Sequence, residues 1–139
     1  MSINVAPIGL ARDLKERAAS GKPIRIGLIG SGLEIGAISE LNIPNAHRAV
    51  DIAYREKGYS REVSNAGDMT AAIETGKIAV TNDADLIINN DLIDVVIDAT
   101  GVPAVGAEIG LRAMEHGKHL VMMNVEADVT SGAYLKSEA

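Results

Sequence analysis

Short aliphatic runs alternate along this chain with segments in which apolar residues recur at helical spacing. The runs at 24–29, 77–81, 93–99 and 119–124 have the length of a strand and consist largely of Ile, Val, Leu and Met. Such runs are typical of strands that are buried on both faces. Between them, the stretch 44–58 repeats apolar residues at i, i+3, i+4 and i+7. The alternation predicts an α/β fold with a mostly parallel, doubly wound sheet.

Capping and helix-breaking residues give the predicted limits of the helices. One short helix is predicted at 10–18, ahead of Gly21. The next is predicted to begin at Pro44 and to end at Gly58, followed by a polar loop over 59–67.

Further helices are predicted over 68–75, 82–88 and 103–116. Thr130 or Ser131 is expected to cap a final helix that runs to the last residue. This order of strands and helices completes the α/β pattern.

Composition narrows the class of protein. A chain of 139 residues has the length of one domain, and residues 1–139 are expected to form one. Aromatic residues make up 2% and there is no Phe or Trp, so aliphatic side chains must build the core. The net charge of −6 argues against a broad nucleic-acid or anionic-membrane surface. No apolar run is long enough to span a membrane.

The chain contains no cysteine, which excludes disulfides, thiolate metal sites and cysteine nucleophiles. This composition agrees with a cytoplasmic location. The histidines share no spacing typical of a metal site, and the acidic residues between 83 and 94 lack the glycine and closing Glu of a calcium loop. No metal site is predicted, and no spacing identifies catalytic residues.

A glycine turn follows the first strand. Gly30, Ser31 and Gly32 come directly after the run 24–29. Glycines at such a strand end allow a tight bend and close approach of the backbone to a pyrophosphate. The next strand-like stretch ends in Glu40, where a carboxylate would accept hydrogen bonds from an adenosine ribose. The arrangement indicates a unit that binds NAD or NADP, and the carboxylate favours NAD.

The first crossover helix, which should join these two strands, is missing from the sequence. Parallel neighbours need a connection of about a dozen residues or more, yet strand-like sequence resumes directly after Gly32. The third glycine is also displaced, because Gly36 stands one residue late. A β-hairpin that turns at residues 30–32 fits the same sequence. The residues alone therefore leave a nucleotide turn and a hairpin both open.

Three stretches carry a family resemblance: 23–32, 93–101 and 117–130, the last reading GKHLVMMNVEADVT. Together they resemble the N-terminal domain of the homoserine-dehydrogenase-like oxidoreductases that carry a SAF domain. That family includes an enzyme similar in activity to 1-deoxy-D-xylulose 5-phosphate reductoisomerase. The resemblance implies a Rossmann-like, NAD(P)-binding domain.

The resemblance also implies cofactor-binding residues at three strand ends, besides Glu40. They are Gly30, Ser31 and Gly32 at the pyrophosphate, Ala99, Thr100 and Gly101 along the nicotinamide half, and Asn124, Val125 and Glu126 near the ring and substrate. From the residues alone, Thr100 and Gly101 could equally form a turn. Asn124 and Glu126 could equally cap a helix or lie in a solvated loop.

Members of this family are longer, and a following domain supplies their substrate pocket and acid–base groups. The resemblance therefore implies the N-terminal part of an enzyme, with a small-molecule substrate bound through another domain and little or no turnover by this chain alone. Related homoserine dehydrogenases carry a lysine directly after the matching asparagine, where this chain has Val125. The alternative is a non-catalytic α/β module with a hairpin in place of the phosphate turn. Assembly into a homo-oligomer stays open.

Overall fold

A parallel sheet forms the centre of the computed structural model, which describes residues 26–29 and 36–139. Its strands are β1 (Ile26–Ile29), β2 (Ala37–Ser39), β3 (Ser60–Glu62), β4 (Ile78–Thr81), β5 (Val95–Asp98) and β6 (His119–Met122). Within the described ranges their order is β3-β4-β2-β1-β5-β6, and every neighbouring pair is parallel. The predicted parallel α/β sheet is thus confirmed. The strand order reverses at β1, which lies between β2 and β5.

Helices cover both faces of this sheet. They are α1 (Ile43–Tyr54), α2 (Ala66–Glu74), α3 (Ala84–Ile88), α4 (Pro103–Glu115) and α5 (Val125–Glu138). The α1 helix packs Ala46 and Val50 against Ile38 and Val80 on one face. The α2, α3 and α4 helices pack on the other face, around a larger aliphatic cluster that includes Val96. As the composition predicted, both clusters are almost entirely aliphatic.

The interpretation of residues 30–32 as a β-hairpin does not agree with the pairing of the neighbouring strands. A two-residue hairpin joins antiparallel strands, whereas β1 and β2 are parallel, with Gly27 opposite Ala37 and Ile29 opposite Ser39. The predicted helix at 10–18 and the turn residues themselves lie outside the described residues.

The predicted end of the second helix was wrong. The α1 helix ends at Tyr54, because Arg55 adopts a left-handed conformation with φ 54° and its N–H donates to Ile52 O. Residues 52–58 are exposed, so extending the helix to Gly58 would bury nothing.

The prediction of a loop over 59–67 was also wrong in part. Residues Ser60–Glu62 form β3, a polar edge strand held by backbone hydrogen bonds to β4. The predicted cap of the last helix was wrong as well. The α5 helix begins at Val125 with Asn124 as its cap, and the Thr130 hydroxyl donates to Glu126 O inside the helix.

An ion pair between Arg112 and Asp85 joins α4 to α3. The hydrogen bond to Asp85 raises the pKa of the Arg112 guanidinium above its ordinary value. A raised pKa means that the arginine contributes stability below its unfolded pKa and loses it only as the pH rises through the folded pKa. On the arginine side, the contribution therefore persists through neutral pH.

None of the helices in the described part is both long and apolar enough to span a bilayer.

Candidate functional site

A cavity of about 410 Å³ opens at the carboxyl ends of β2, β4 and β5. In open α/β sheets, ligands bind outside the carboxyl ends of the strands, beside the point where the strand order reverses. Polar side chains in its wall come from Glu40, Asn82 and Thr100, and apolar ones include Leu41 and Val102. The cavity therefore lies where the fold predicts a ligand, and it offers both polar and apolar surface.

Glu40 is held in this wall by the local backbone. It follows β2 directly, and its N–H donates to Thr81 O at 2.9 Å, which ties the end of β2 to β4. Its Oε1 accepts from the N–H of Asn42 at 3.1 Å, and Asn42 in turn caps α1. The half-buried carboxylate is thereby fixed at the cavity, at the position expected for binding ribose hydroxyls.

Aliphatic side chains give the cavity its apolar surface. Leu41 is 92% exposed, and Val102 and Val105 are among the exposed large hydrophobic residues. All three line the cavity, together with buried Ile109. Exposed aliphatic groups around a concave site suit a flat ring that packs between them. The sequence prediction missed these residues, because they stand in a loop and in the first turns of α4 without a motif.

A buried polar network joins the ends of β5 and β6. The Thr100 hydroxyl donates to Asp98 Oδ1 at 2.8 Å, and the Thr100 N–H donates to the same oxygen at 2.9 Å. Asn124 Nδ2 donates to Thr100 Oγ1 at 3.3 Å and to Val102 O at 3.1 Å. Of the residues predicted at these two strand ends, Thr100 and Asn124 thus lie in contact with each other.

Asn124 is the buried centre of this contact. It is 1% exposed, and its Oδ1 accepts from the Ala127 N–H at 3.1 Å to cap α5. The capping interpretation of this residue is therefore realised in the structure. Val125 and Glu126 follow it in the first turn of α5 and are exposed. Gly101, also predicted, is exposed and has φ +69°, a turn conformation that glycine adopts freely.

Asp98 is a further buried polar residue that the sequence prediction did not select. Its side chain is 0% exposed, and within the described residues its Oδ2 has no hydrogen-bond partner. The sequence signal that could have identified it is an aspartate at the end of an aliphatic strand, because a carboxylate is rarely buried without a partner or a function. The predicted Gly30, Ser31 and Gly32 lie outside the described residues, and Ala99 lines the cavity.

A second, larger cleft of about 520 Å³ lies beside β6 and α5. Its wall includes Gly117, Lys118 and His119, which stand at the amino end of β6. The cleft runs along the edge strand β6 and α5, away from the point where the strand order reverses and open α/β folds bind ligands. The smaller cavity is therefore the better candidate site. No group of three or more potential metal ligands occurs in the ranges that the structure describes.

Known proteins match most of this chain. Residues 41–138 match the family described as "Homoserine dehydrogenase, NAD binding domain". The chain is 33% identical over 103 residues to a homoserine dehydrogenase of Methylobacillus glycogenes, covering 74% of this chain and 25% of that protein. It is 32% identical over 105 residues to a homoserine dehydrogenase of Pseudomonas aeruginosa PAO1, covering 74% and 23%. The chain therefore spans about a quarter of the length of these relatives.

Solved structures share the fold. A crystal structure of a homoserine dehydrogenase from Thiobacillus denitrificans superimposes with a TM-score of 0.50 at 23% identity, over 85% of this chain and 27% of that one. A putative oxidoreductase from Bacillus subtilis, yvaA, superimposes with a TM-score of 0.50 at 18% identity, over 84% and 32%. These similarities agree with the predicted Rossmann-like fold class.

Proposed function

The chain belongs to the family of homoserine dehydrogenase NAD-binding domains, and we propose that it positions the nicotinamide of NAD or NADP for hydride transfer. The observation that carries this proposal is the cavity at the carboxyl ends of β2, β4 and β5, with Glu40 in its wall. A dinucleotide bound there would lie across the point at which the strand order reverses.

The adenosine half of the cofactor is assigned to the cavity itself. The Glu40 carboxylate accepts hydrogen bonds from the ribose hydroxyls, and the base packs against Leu41, Val102 and Val105. A carboxylate at this position repels the 2′-phosphate of NADP, which favours NAD. Gly30, Ser31 and Gly32 are proposed to contact the pyrophosphate.

The nicotinamide half is assigned to the neighbouring strand ends. Ala99, Thr100 and Gly101 follow β5, and the segment of Asn124, Val125 and Glu126 follows β6. Because Asn124 is buried and caps α5, its side chain holds the start of α5 in place. The exposed residues beside it are proposed to contact the nicotinamide ring.

In the proposed reaction, the carbon of a substrate alcohol gives a hydride to the nicotinamide, and the hydroxyl proton goes to a base, which leaves a carbonyl. The domain orients the cofactor, and the substrate binds through another part of the full protein. Homoserine is the first substrate to test, since the relatives carry that name. Val125 stands where related homoserine dehydrogenases carry a lysine, so this position offers no ammonium near the ring. We therefore propose the substrates of reductoisomerase-like enzymes as the second class to test.

Titration with NADH tests cofactor binding directly. The chain has no Trp, so its own emission is low and the fluorescence of the reduced nicotinamide can be followed. We expect saturable binding with a Kd below about 1 mM, or about −4 kcal/mol. A signal that stays unchanged up to that concentration would support the non-catalytic α/β module instead.

Replacing the ribose-binding carboxylate tests the orientation of the cofactor. Glu40→Gln keeps an acceptor but loses the charge, so NADH affinity should fall about fivefold while NADPH affinity is maintained or rises. Glu74→Gln is the matched control, because Glu74 is exposed at the end of α2, shortly before β4 begins, and so stands near the amino ends of the strands rather than at the cavity. Equal losses of NADH and NADPH affinity in Glu40→Gln would contradict the assignment.

A further inference from the structure

We propose that Asp98 is a positioning residue that fixes the nicotinamide end of the site by holding Thr100 and, through it, Asn124. The inference rests on the proposed cofactor binding. It concerns a residue that is 0% exposed and does not itself line the cavity. Its effect on the cofactor must therefore pass through the residues it holds.

The direction of the hydrogen bonds shows how Asp98 holds Thr100. Asp98 Oδ1 is an acceptor here, and the Thr100 hydroxyl directs its proton to this oxygen, 2.8 Å away. The Thr100 N–H donates to the same oxygen. With its proton committed, the hydroxyl oxygen accepts from Asn124 Nδ2. A chain of bonds with one defined polarity thus links the two strand ends.

Close packing of α4 shows that this arrangement is built into the fold. A Cβ on Gly106 would overlap Asp98 Oδ2 and would lie 2.7 Å from Asn124 Nδ2. Glycine at this position therefore lets the first turns of α4 approach the carboxylate. The close approach of α4 thus encloses a side chain whose second oxygen has no hydrogen-bond partner among the described residues.

The network is the side-chain connection between the loop after β5 and the start of α5. Asn124 Nδ2 also donates to Val102 O, so the loop from Asp98 to Val102 is tied to α5 at two points. These are the segments assigned to the nicotinamide half. The cavity for the adenosine half borders this loop through Thr100 and Val102, but its ribose-binding side is formed by Glu40, Leu41 and Asn82, which the network does not hold. Loosening the network should therefore weaken one half of the cofactor site more than the other.

Comparison of NADH with ADP-ribose tests this selectivity, because ADP-ribose contains the adenosine and pyrophosphate but no nicotinamide. Asp98→Asn keeps an acceptor without charge, and Thr100→Val removes the hydroxyl. In both variants we expect NADH affinity to fall about fivefold to tenfold, and ADP-ribose affinity to change less than about twofold. Thr100→Ser, which restores the hydroxyl, should recover most of the NADH affinity.

Two glycines one helical turn apart supply matched controls. Gly106→Ala places a methyl group against the network and should lower NADH affinity selectively. Gly110→Ala places it against Leu120 and Leu135, at 3.0 and 3.3 Å, and should alter stability without altering the ratio of the two affinities. Thermal unfolding of each variant verifies that it is folded at the temperature of the titration.

The outcomes separate this inference from the proposed function. Proportional loss of both ligands in Asp98→Asn and Thr100→Val would make the network a purely structural element and overturn the inference. The same conclusion holds if the unmodified chain binds NADH no more tightly than ADP-ribose, although the adenosine site would then stand. Failure of the unmodified chain to bind either ligand would overturn both proposals.

Discussion

Two asparagines cap helices in very different surroundings in this protein. Asn65 caps α2 at an exposed position, where its Oδ1 accepts from the Asp68 N–H at 2.9 Å. Asn124 caps α5 through the same kind of bond, but it is buried and uses its amide to donate to Thr100 and Val102 as well. One residue type therefore has a local role at the first site and a tertiary role at the second.

Replacement of each cap by alanine should separate these two roles. Asn65→Ala loses a cap that is worth about 1 kcal/mol. Asn124→Ala loses a cap and also the buried hydrogen bonds of the amide, so the free energy of unfolding should fall by about 2–3 kcal/mol. Urea denaturation measures both changes. Equal losses in the two variants would show that the amide of Asn124 contributes nothing.

At the level of elements, the aliphatic runs predicted the strands well, because buried parallel strands require such runs. The β3 strand was missed, since a polar edge strand such as Ser60–Glu62 depends on hydrogen bonds to β4 rather than on apolar burial. The start of α5 was missed for a related reason. Its first residue, Val125, is exposed, so the sequence shows no apolar face that would mark the beginning of the helix.

The candidate site was predictable only where it follows from strand ends. Glu40 was selected because it comes directly after a strand, and Thr100 was selected from the family resemblance of the stretch that ends β5. The apolar wall residues Leu41 and Val105 depend on how a loop and α4 are placed around the sheet. Asp98 lies in the strand itself, and only the structure shows that its carboxylate is buried between α4 and the two loops.

A half-buried lysine connects two separate parts of the chain and offers a test at this scale. Lys118 Nζ donates to Asn90 O and Ile93 O, both at 2.8 Å, and so fixes the segment between α3 and β5. Lys118→Met should lower the free energy of unfolding by about 2 kcal/mol, because it leaves two carbonyls without a charged donor.

The control is Lys77→Met. Lys77 donates to Gly58 O from an exposed position and stands 5.5 Å from the Tyr59 ring. Its replacement should cost less than about 1 kcal/mol. If urea denaturation showed the same loss in the free energy of unfolding for both lysine variants, the hydrogen bonds of Lys118 would contribute no more than those of an exposed lysine.

For the whole molecule, the connection between β1 and β2 decides how complete the nucleotide site is. It consists of residues 30–36, which span at most about 25 Å when extended. That length suffices to return along a four-residue strand of about 13 Å, but it is too short for a crossover helix. By the right-handed rule for parallel crossovers, such a helix would lie on the face covered by α1.

The same face shows apolar surface at the edge of the sheet formed by β5 and β6. Val95 and Ile97 stand opposite His119 and Val121 in the parallel register, so these side chains share one face. Val121 is 45% exposed, whereas Leu120, on the opposite face, packs against the larger cluster. Among the described residues, the helices therefore cover the two faces of the sheet unequally.

Insertion of a helix tests whether the short connection limits cofactor binding. An amphipathic helix of about 12 residues, placed between Gly32 and Leu33, would aim its N-terminal N–H groups at the pyrophosphate and cover apolar surface. We expect NADH affinity to rise about tenfold, or about 1.4 kcal/mol, together with a higher Tm. A Gly/Ser insertion of equal length is the control, since it lengthens the connection without supplying a helix dipole. If both insertions raised the affinity equally, chain length alone would limit binding; if neither did, the existing turn would already contact the cofactor as well as a helix could.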